Sequence, residues 1–153
     1  MLLLKNRNIY ILPLPRENMK KILYVEDMKK CYERTSETLG KTFEIDWKNN
    51  YSEALNAIIK NLGEYSAAVF DVNLDYKPDL PDDKQTREGL DLIKILKEEA
   101  KKQSISIPII CASSNGAIYE PLSLKAGADK FLWKKELWEG KGKEVLEDLI
   151  KKV

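Results

Sequence analysis

The chain contains no histidine and only two cysteines, far apart at Cys31 and Cys111. Zinc centres draw on imidazoles and closely spaced thiolates, so neither a zinc site nor a disulfide framework is expected, and a reducing cytoplasm is the simpler setting. An excess of one charge is missing too. Twenty-six Lys and Arg against 25 Asp and Glu leave a net charge of +1, too little to favour nucleic acid or an anionic membrane surface. No apolar run could span a bilayer, and the opening Met1-Leu2-Leu3-Leu4 is cut short by Lys5 and Arg7, too soon for a signal peptide. Direct nucleic-acid binding, membrane insertion and export are therefore not expected.

What the chain does have is enough apolar residue, 43% of 153, to build the core of one domain. From Lys20 onward short apolar runs alternate with amphipathic stretches, a rhythm that predicts an α/β fold with a mostly parallel sheet covered on both faces. Strands are predicted over 21–25, 42–47, 67–70, 107–112 and 130–133. Between them Met28, Cys31, Tyr32 and Leu39 form a weak helical stripe, and Leu55, Ile58, Ile59 and Leu62 a clear one. Leu92, Ile93, Leu96 and Ala100 mark a third helix, and Val145, Leu146, Leu149, Ile150 and Val153 a last one. A short helix over 120–126 would carry Pro121 in its first turn.

Two segments break the alternation. Residues 1–19 form an N-terminal extension in which Asn8-Ile9-Tyr10-Ile11-Leu12 reads as an extra strand ahead of Pro13 and Pro15. This stretch is read as an add-on, or as residues ahead of an alternative start at Met19. Residues 74–88, with Pro78, Pro81, Asp79, Asp82 and Asp83, read as a long polar loop, solvated rather than a second cation site, since the prolines and Lys84 spoil a regular ligand spacing.

The chemistry gathers at strand ends. The first and third runs finish in carboxylates, Glu26-Asp27 and Asp71, and converge at one sheet edge if those strands are parallel neighbours. Asp27 alone could be a helix cap, Asp71 a loop acid, Ser113 a backbone partner and Lys134 a solvated turn residue. Together the carboxylates read as a cation site.

Taken in order, Glu26-Asp27, Asp71 with Asn73, Ser113-Ser114 and Lys134 resemble the receiver domain of two-component response regulators, over roughly residues 20–153. Ile107-Pro108-Ile109-Ile110 and Gly127-Ala128-Asp129-Lys130-Phe131 strengthen the resemblance. It implies a doubly wound five-stranded parallel sheet of order 2-1-3-4-5 flanked by helices, a flavodoxin-like three-layer sandwich. It also implies that Asp71 is the phosphoacceptor, with Lys134 and Ser113 contacting the phosphoryl group. Mg²⁺ would be held by Asp27, Asp71 and the Asn73 carbonyl, with Glu26 direct or through water, and Ser113 and Phe131 would form the switch. Asn73 and Asn115 stand where the family tunes hydrolysis.

The implied partners are a histidine kinase or phosphotransfer protein and an unknown downstream protein. The output would be a protein contact, since no effector domain follows the last helix, unless the chain is an excised fragment. Lys135 replaces the family's frequent Pro after the Lys, and the stretch from Asp71 to Gly89 is longer than usual. Two alternatives follow: a degenerate receiver that binds a partner without phosphorylation, and a haloacid-dehalogenase-like phosphatase. The latter wants a second Asp where Asn73 stands.

Overall fold

The computed structural model describes residues 2–5, 8–11 and 19–153. Strands β1 (Leu2–Lys5) and β2 (Asn8–Ile11) pair antiparallel as a separate two-stranded sheet. Of the extra strand expected over residues 8–12, Asn8–Ile11 is present; Leu12, Pro13 and Pro15 lie outside the described residues.

The main sheet holds β3 (Lys21–Val25), β4 (Glu44–Lys48), β5 (Ala67–Asp71), β6 (Ile109–Ser113) and β7 (Lys130–Trp133). All neighbours are parallel and the order is β4-β3-β5-β6-β7, which is 2-1-3-4-5 in core strands. Ala67–Asp71 and Ile109–Ser113 are buried throughout, as central strands of a sheet covered on both faces must be.

Alternation along each strand divides the core. Leu23, Val25, Ala68, Phe70, Ile109, Cys111 and Phe131 face α2 (Tyr51–Asn61), α3 (Glu88–Gln103) and α4 (Gly116–Ala126). Ile22, Tyr24, Ala67, Val69, Ile110, Ala112 and Leu132 face α1 (Lys29–Leu39), α5 (Lys134–Trp138) and α6 (Gly140–Lys151). Each large apolar side chain so buried contributes roughly 1.5–3 kcal/mol of transfer free energy. Asn50 caps α2 by accepting the Glu53 N–H at 2.9 Å.

Several expectations need correction. The second core strand starts at Glu44, because Thr42 and Phe43 still donate to the Leu39 carbonyl and close a turn. The fourth starts at Ile109, although the Pro108 carbonyl already accepts from Ala68 at 3.0 Å. Helix α4 begins at Gly116, not Glu120, so Pro121 lies in its interior and forgoes one intrahelical hydrogen bond. Tertiary contacts hold that first turn: Tyr119 is buried, and Gly116 sits so close to the Trp133 ring that an added Cβ would come within 2.5 Å of it. Met28 lies before α1 and is exposed, and Ile59 and Val153 also face outward. The short helix α5 after β7 is not anticipated by any apolar periodicity.

Candidate functional site

The C-terminal ends of β3, β5, β6 and β7 meet at one edge, where the chain switches from β4 on one side of β3 to β5 on the other. Glu26 and Asp27 follow β3, Asp71 ends β5, Ser113 ends β6 and Lys134 opens α5 directly after β7. The structure thus brings together all four strand-end groups singled out in the sequence.

Lys134 is the hub. Its Nζ lies 2.8 Å from Glu26 Oε1, 3.2 Å from Asp71 Oδ1 and 3.7 Å from Cys31 Sγ, and the residue is buried. Burial opposes its positive charge, but Asp71 and Glu26 outweigh that and raise its pKa. Its entry angle is set by Glu136 Oε1, which accepts the Trp133 N–H at 3.0 Å and so closes the start of α5.

Glu26 is fully buried. Its main chain is fixed from β4: its N–H donates to the Lys48 carbonyl at 3.1 Å, and its carbonyl accepts Trp47 Nε1–H at 2.7 Å. Trp47 in turn stacks on Tyr32, with ring centroids 4.2 Å apart. Neither aromatic announces this role in the sequence. On the other side, Gly89 at the start of α3 abuts the Asp71 carbonyl, where an added Cβ would stand 1.8 Å away. Only glycine lets α3 start this close to the acid.

Glu26, Asp27 and Asp71 each present a carboxylate oxygen within 4.8 Å of the others. Burial first, then the charge of Glu26, raises the Asp71 carboxyl well above the ordinary carboxylate range, and Lys134 offsets only part of this. Asp27 is raised for the same leading reasons, burial and Glu26, while the Tyr76 N–H opposes. Cys31 is pushed up to about 11 by burial and by Glu26. Among the described residues two buried side-chain oxygens have no hydrogen-bond partner, Glu26 Oε1, which faces only the Lys134 ammonium at 2.8 Å, and Asp27 Oδ1. Three carboxylates against one ammonium, with Asp27 Oδ1 meeting neither donor nor cation, make an all-oxygen donor set deficient in positive charge, which fits a hard divalent cation such as Mg²⁺.

A cavity of ≈360 Å³ opens onto Asp71, bounded also by Asn73, Ser113, Asn115 and Lys134. The Asn73 amide donates to the Thr86 carbonyl at 2.6 Å and to Tyr119 Oη at 3.1 Å. Ser113 Oγ accepts the Asn115 N–H at 3.1 Å. Phe131 is buried edge-on to the exposed Trp133, centroids 6.4 Å apart.

The loop 74–88 is not merely solvated. The nearly buried Gln85 side chain bonds Lys77 N–H, Lys77 O and Leu80 O, and Thr86 Oγ1 bonds the Leu74 carbonyl. The loop spans the site at two points: Tyr76 N–H donates to Asp27 Oδ2 at 3.2 Å, and Asp82 Oδ2 accepts Asn115 Nδ2–H at 2.7 Å. Asp79 and Asp83 stay exposed, whereas Asp82 is half-buried and lines the Asp71 cavity.

No family model and no curated protein matches the sequence. Solved structures do. The receiver domain of the histidine kinase CKI1 from Arabidopsis thaliana, complexed with Mg²⁺ and BeF₃⁻, superposes with a TM-score of 0.66 at 18% identity, covering 88% of this chain and 91% of that one. A CheY-like response regulator receiver domain protein from Methanospirillum hungatei gives 0.62 at 23%, covering 89% and 100%. A Francisella response regulator receiver domain gives 0.61 at 25%, covering 87% and 98%. The chain has the fold of CheY-like response regulator receiver domains.

Proposed function

We propose that the chain is a phosphoacceptor receiver: residues 20–153 take a phosphoryl group from a histidine kinase or phosphotransfer protein onto Asp71, and residues 1–19 are an extension. The observation that carries this reading is the convergence of Lys134 on Asp71 and Glu26 within 3.2 Å, beside the orphaned oxygen of Asp27.

Asp71 is the nucleophile that the cavity exposes. One of its oxygens attacks phosphorus, the new O–P bond forms as the P–N bond of the donor phosphohistidine breaks, and the departing nitrogen keeps that electron pair. Lys134 holds its ammonium against a phosphoryl oxygen, and Ser113 donates its hydroxyl to another. Asp27 and Asp71, with Glu26 and the Asn73 carbonyl, hold Mg²⁺, which when bound supplies the charge compensation that lets an anionic donor approach an anionic acid. The CKI1 receiver domain, of the same fold, is complexed with Mg²⁺, which supports reading this site as one for that cation. Movement of Ser113 toward the phosphoryl group, with Phe131 following, would switch a contact with a downstream protein. This reading sits with a cytoplasmic, non-membrane protein; among the described residues no helix is long and apolar enough to cross a membrane.

The loop 74–88 over the cavity favours one rival, a receiver that serves as a binding module without being phosphorylated. Incubation with acetyl phosphate and Mg²⁺ separates the two. A labile adduct on the wild-type chain that is lost in Asp71→Asn supports the phosphoacceptor, and no adduct on either supports the binding module.

A further inference from the structure

Asn115 donates two hydrogen bonds at the site, one local and one to the long loop. Its main-chain N–H donates to Ser113 Oγ at 3.1 Å, and its side-chain Nδ2–H donates to Asp82 Oδ2 at 2.7 Å. Asp82 is therefore a fourth carboxylate at the site, contributed by the long loop and facing the same cavity as Asp71, Ser113 and Lys134. Its position is built rather than accidental. Pro81 precedes it with φ −66°, it opens a single 3-10 turn over Asp82–Lys84, and Gln85, just after that turn, ties its side chain back to the Lys77 and Leu80 main chain before it. The Asp82 carbonyl also accepts from Tyr119 Oη at 3.4 Å.

We propose that Asp82 is an internal competitor of the phosphoryl group: its carboxylate occupies the Asn115 amide while Asp71 is free, and a phosphoryl group on Asp71 displaces it and releases the loop around it. This rests on the phosphoacceptor reading and adds its regulation. A phosphoryl group brings about −1.5 to −2 charge and three acceptor oxygens into the cavity. Asp82 is then repelled, while the Asn115 amide gains a competing acceptor within the same space. If Ser113 Oγ turns toward the phosphoryl group, its bond from the Asn115 N–H is strained at the same time, so both ties of Asn115 loosen together.

The loop's other anchor behaves differently. Tyr76 N–H holds Asp27 Oδ2 and leaves Oδ1 free, so a cation on Asp27 does not contest it. The Asp82 end opens while the Tyr76 end stays. Because Asp82 and the phosphoryl group exclude each other, the latch must weaken phosphoryl binding by the same free energy with which phosphorylation opens the loop.

The test titrates Mg²⁺ and beryllofluoride, a phosphoryl mimic, into the wild-type chain, Asp82→Ala and Asp82→Asn, while following amide hydrogen exchange over residues 77–86. Asp82→Ala should bind about tenfold more tightly than wild type, within the range usual for coupled sites. Asp82→Asn, isosteric and uncharged, should fall between them. Binding should speed exchange over 77–86 in wild type, whereas Asp82→Ala should exchange fast there without ligand. Binding by Asp82→Ala alone supports the proposal in its strongest form. Equal affinities in all three chains, or exchange over 77–86 that binding leaves unchanged or slows, overturn the latch and leave the phosphoacceptor reading standing. Absence of binding in all three overturns both.

Discussion

The Lys134 ammonium lies 3.2 Å from the Asp71 carboxylate, although one opens a helix after β7 and the other closes β5. A buried cation between Asp71 and Glu26 does two jobs: it keeps those acids tolerable in the folded state and it waits for an anionic group.

Lys134→Ala should separate these jobs. Removing one member of a buried ion cluster leaves uncompensated charge and costs about 3–5 kcal/mol. Urea denaturation should show that loss, together with reduced phosphorylation. Mg²⁺ should recover part of the stability, because the variant's carboxylates are left with no competing ammonium. Wild-type stability in the variant would show that the cluster is not coupled to folding.

The pH dependence follows from Asp71, whose carboxyl is raised by burial and by Glu26. A group with a raised folded-state pKa contributes fully below its unfolded pKa and loses that contribution as pH climbs through the raised value. Ionised Asp71 is thus a burden at neutral pH. Asp71→Asn should be more stable than wild type there by about 1–2 kcal/mol. The gap should close as pH falls toward about 4, the ordinary carboxylate range. Thermal melts across that interval check the sign.

Mg²⁺ should stabilise the native chain by mass action, by about 1.4 kcal/mol at ten times its Kd. Asp27→Asn weakens the oxygen set at the acid whose Oδ1 is orphaned. A melting-temperature rise with Mg²⁺ in wild type that is much reduced in Asp27→Asn is expected. Equal rises would place the ion elsewhere.

Gly89→Ala probes the backbone beneath the site. The new methyl would fall 1.8 Å from the Asp71 carbonyl and 2.9 Å from Val72 Cα, both main-chain atoms that cannot swing aside. Overpacking of this kind costs about 1–3 kcal/mol. Phosphorylation should fall as well, because Asp71 moves with its carbonyl. Chemical denaturation and acetyl-phosphate labelling of the same variant test both.

The main sheet was legible because four of its strands are short apolar runs and the fifth, Glu44–Lys48, alternates polar and apolar residues, and Asp71, Ser113 and Lys134 stand at the ends of such runs where parallel topology brings them together. Boundaries were less so. Pro121 looks like a first-turn proline, and only the packing of Tyr119 and Gly116 explains a helix that starts before it. The order within residues 74–88 left no pattern at all. It depends on one Gln85 amide satisfying three main-chain groups, and on Asp82 meeting Asn115 from far along the chain. Pairings between distant polar residues carry no periodicity, so aspartates among prolines read as a solvated loop until the fold sets them against a partner. Trp47 was hidden for a similar reason: its indole N–H reaches the Glu26 carbonyl across neighbouring strands.

If Asp71 accepts the phosphoryl group, that group can be located on the chain chemically. After reaction with acetyl phosphate and Mg²⁺, borohydride reduction converts a phosphorylated aspartate to homoserine, which peptide mass spectrometry assigns to a position. Homoserine is expected at position 71 in the wild-type chain and none in Asp71→Asn. Reduction at another carboxylate, or an unmodified Asp71 under conditions that label an authentic receiver domain, would contradict it.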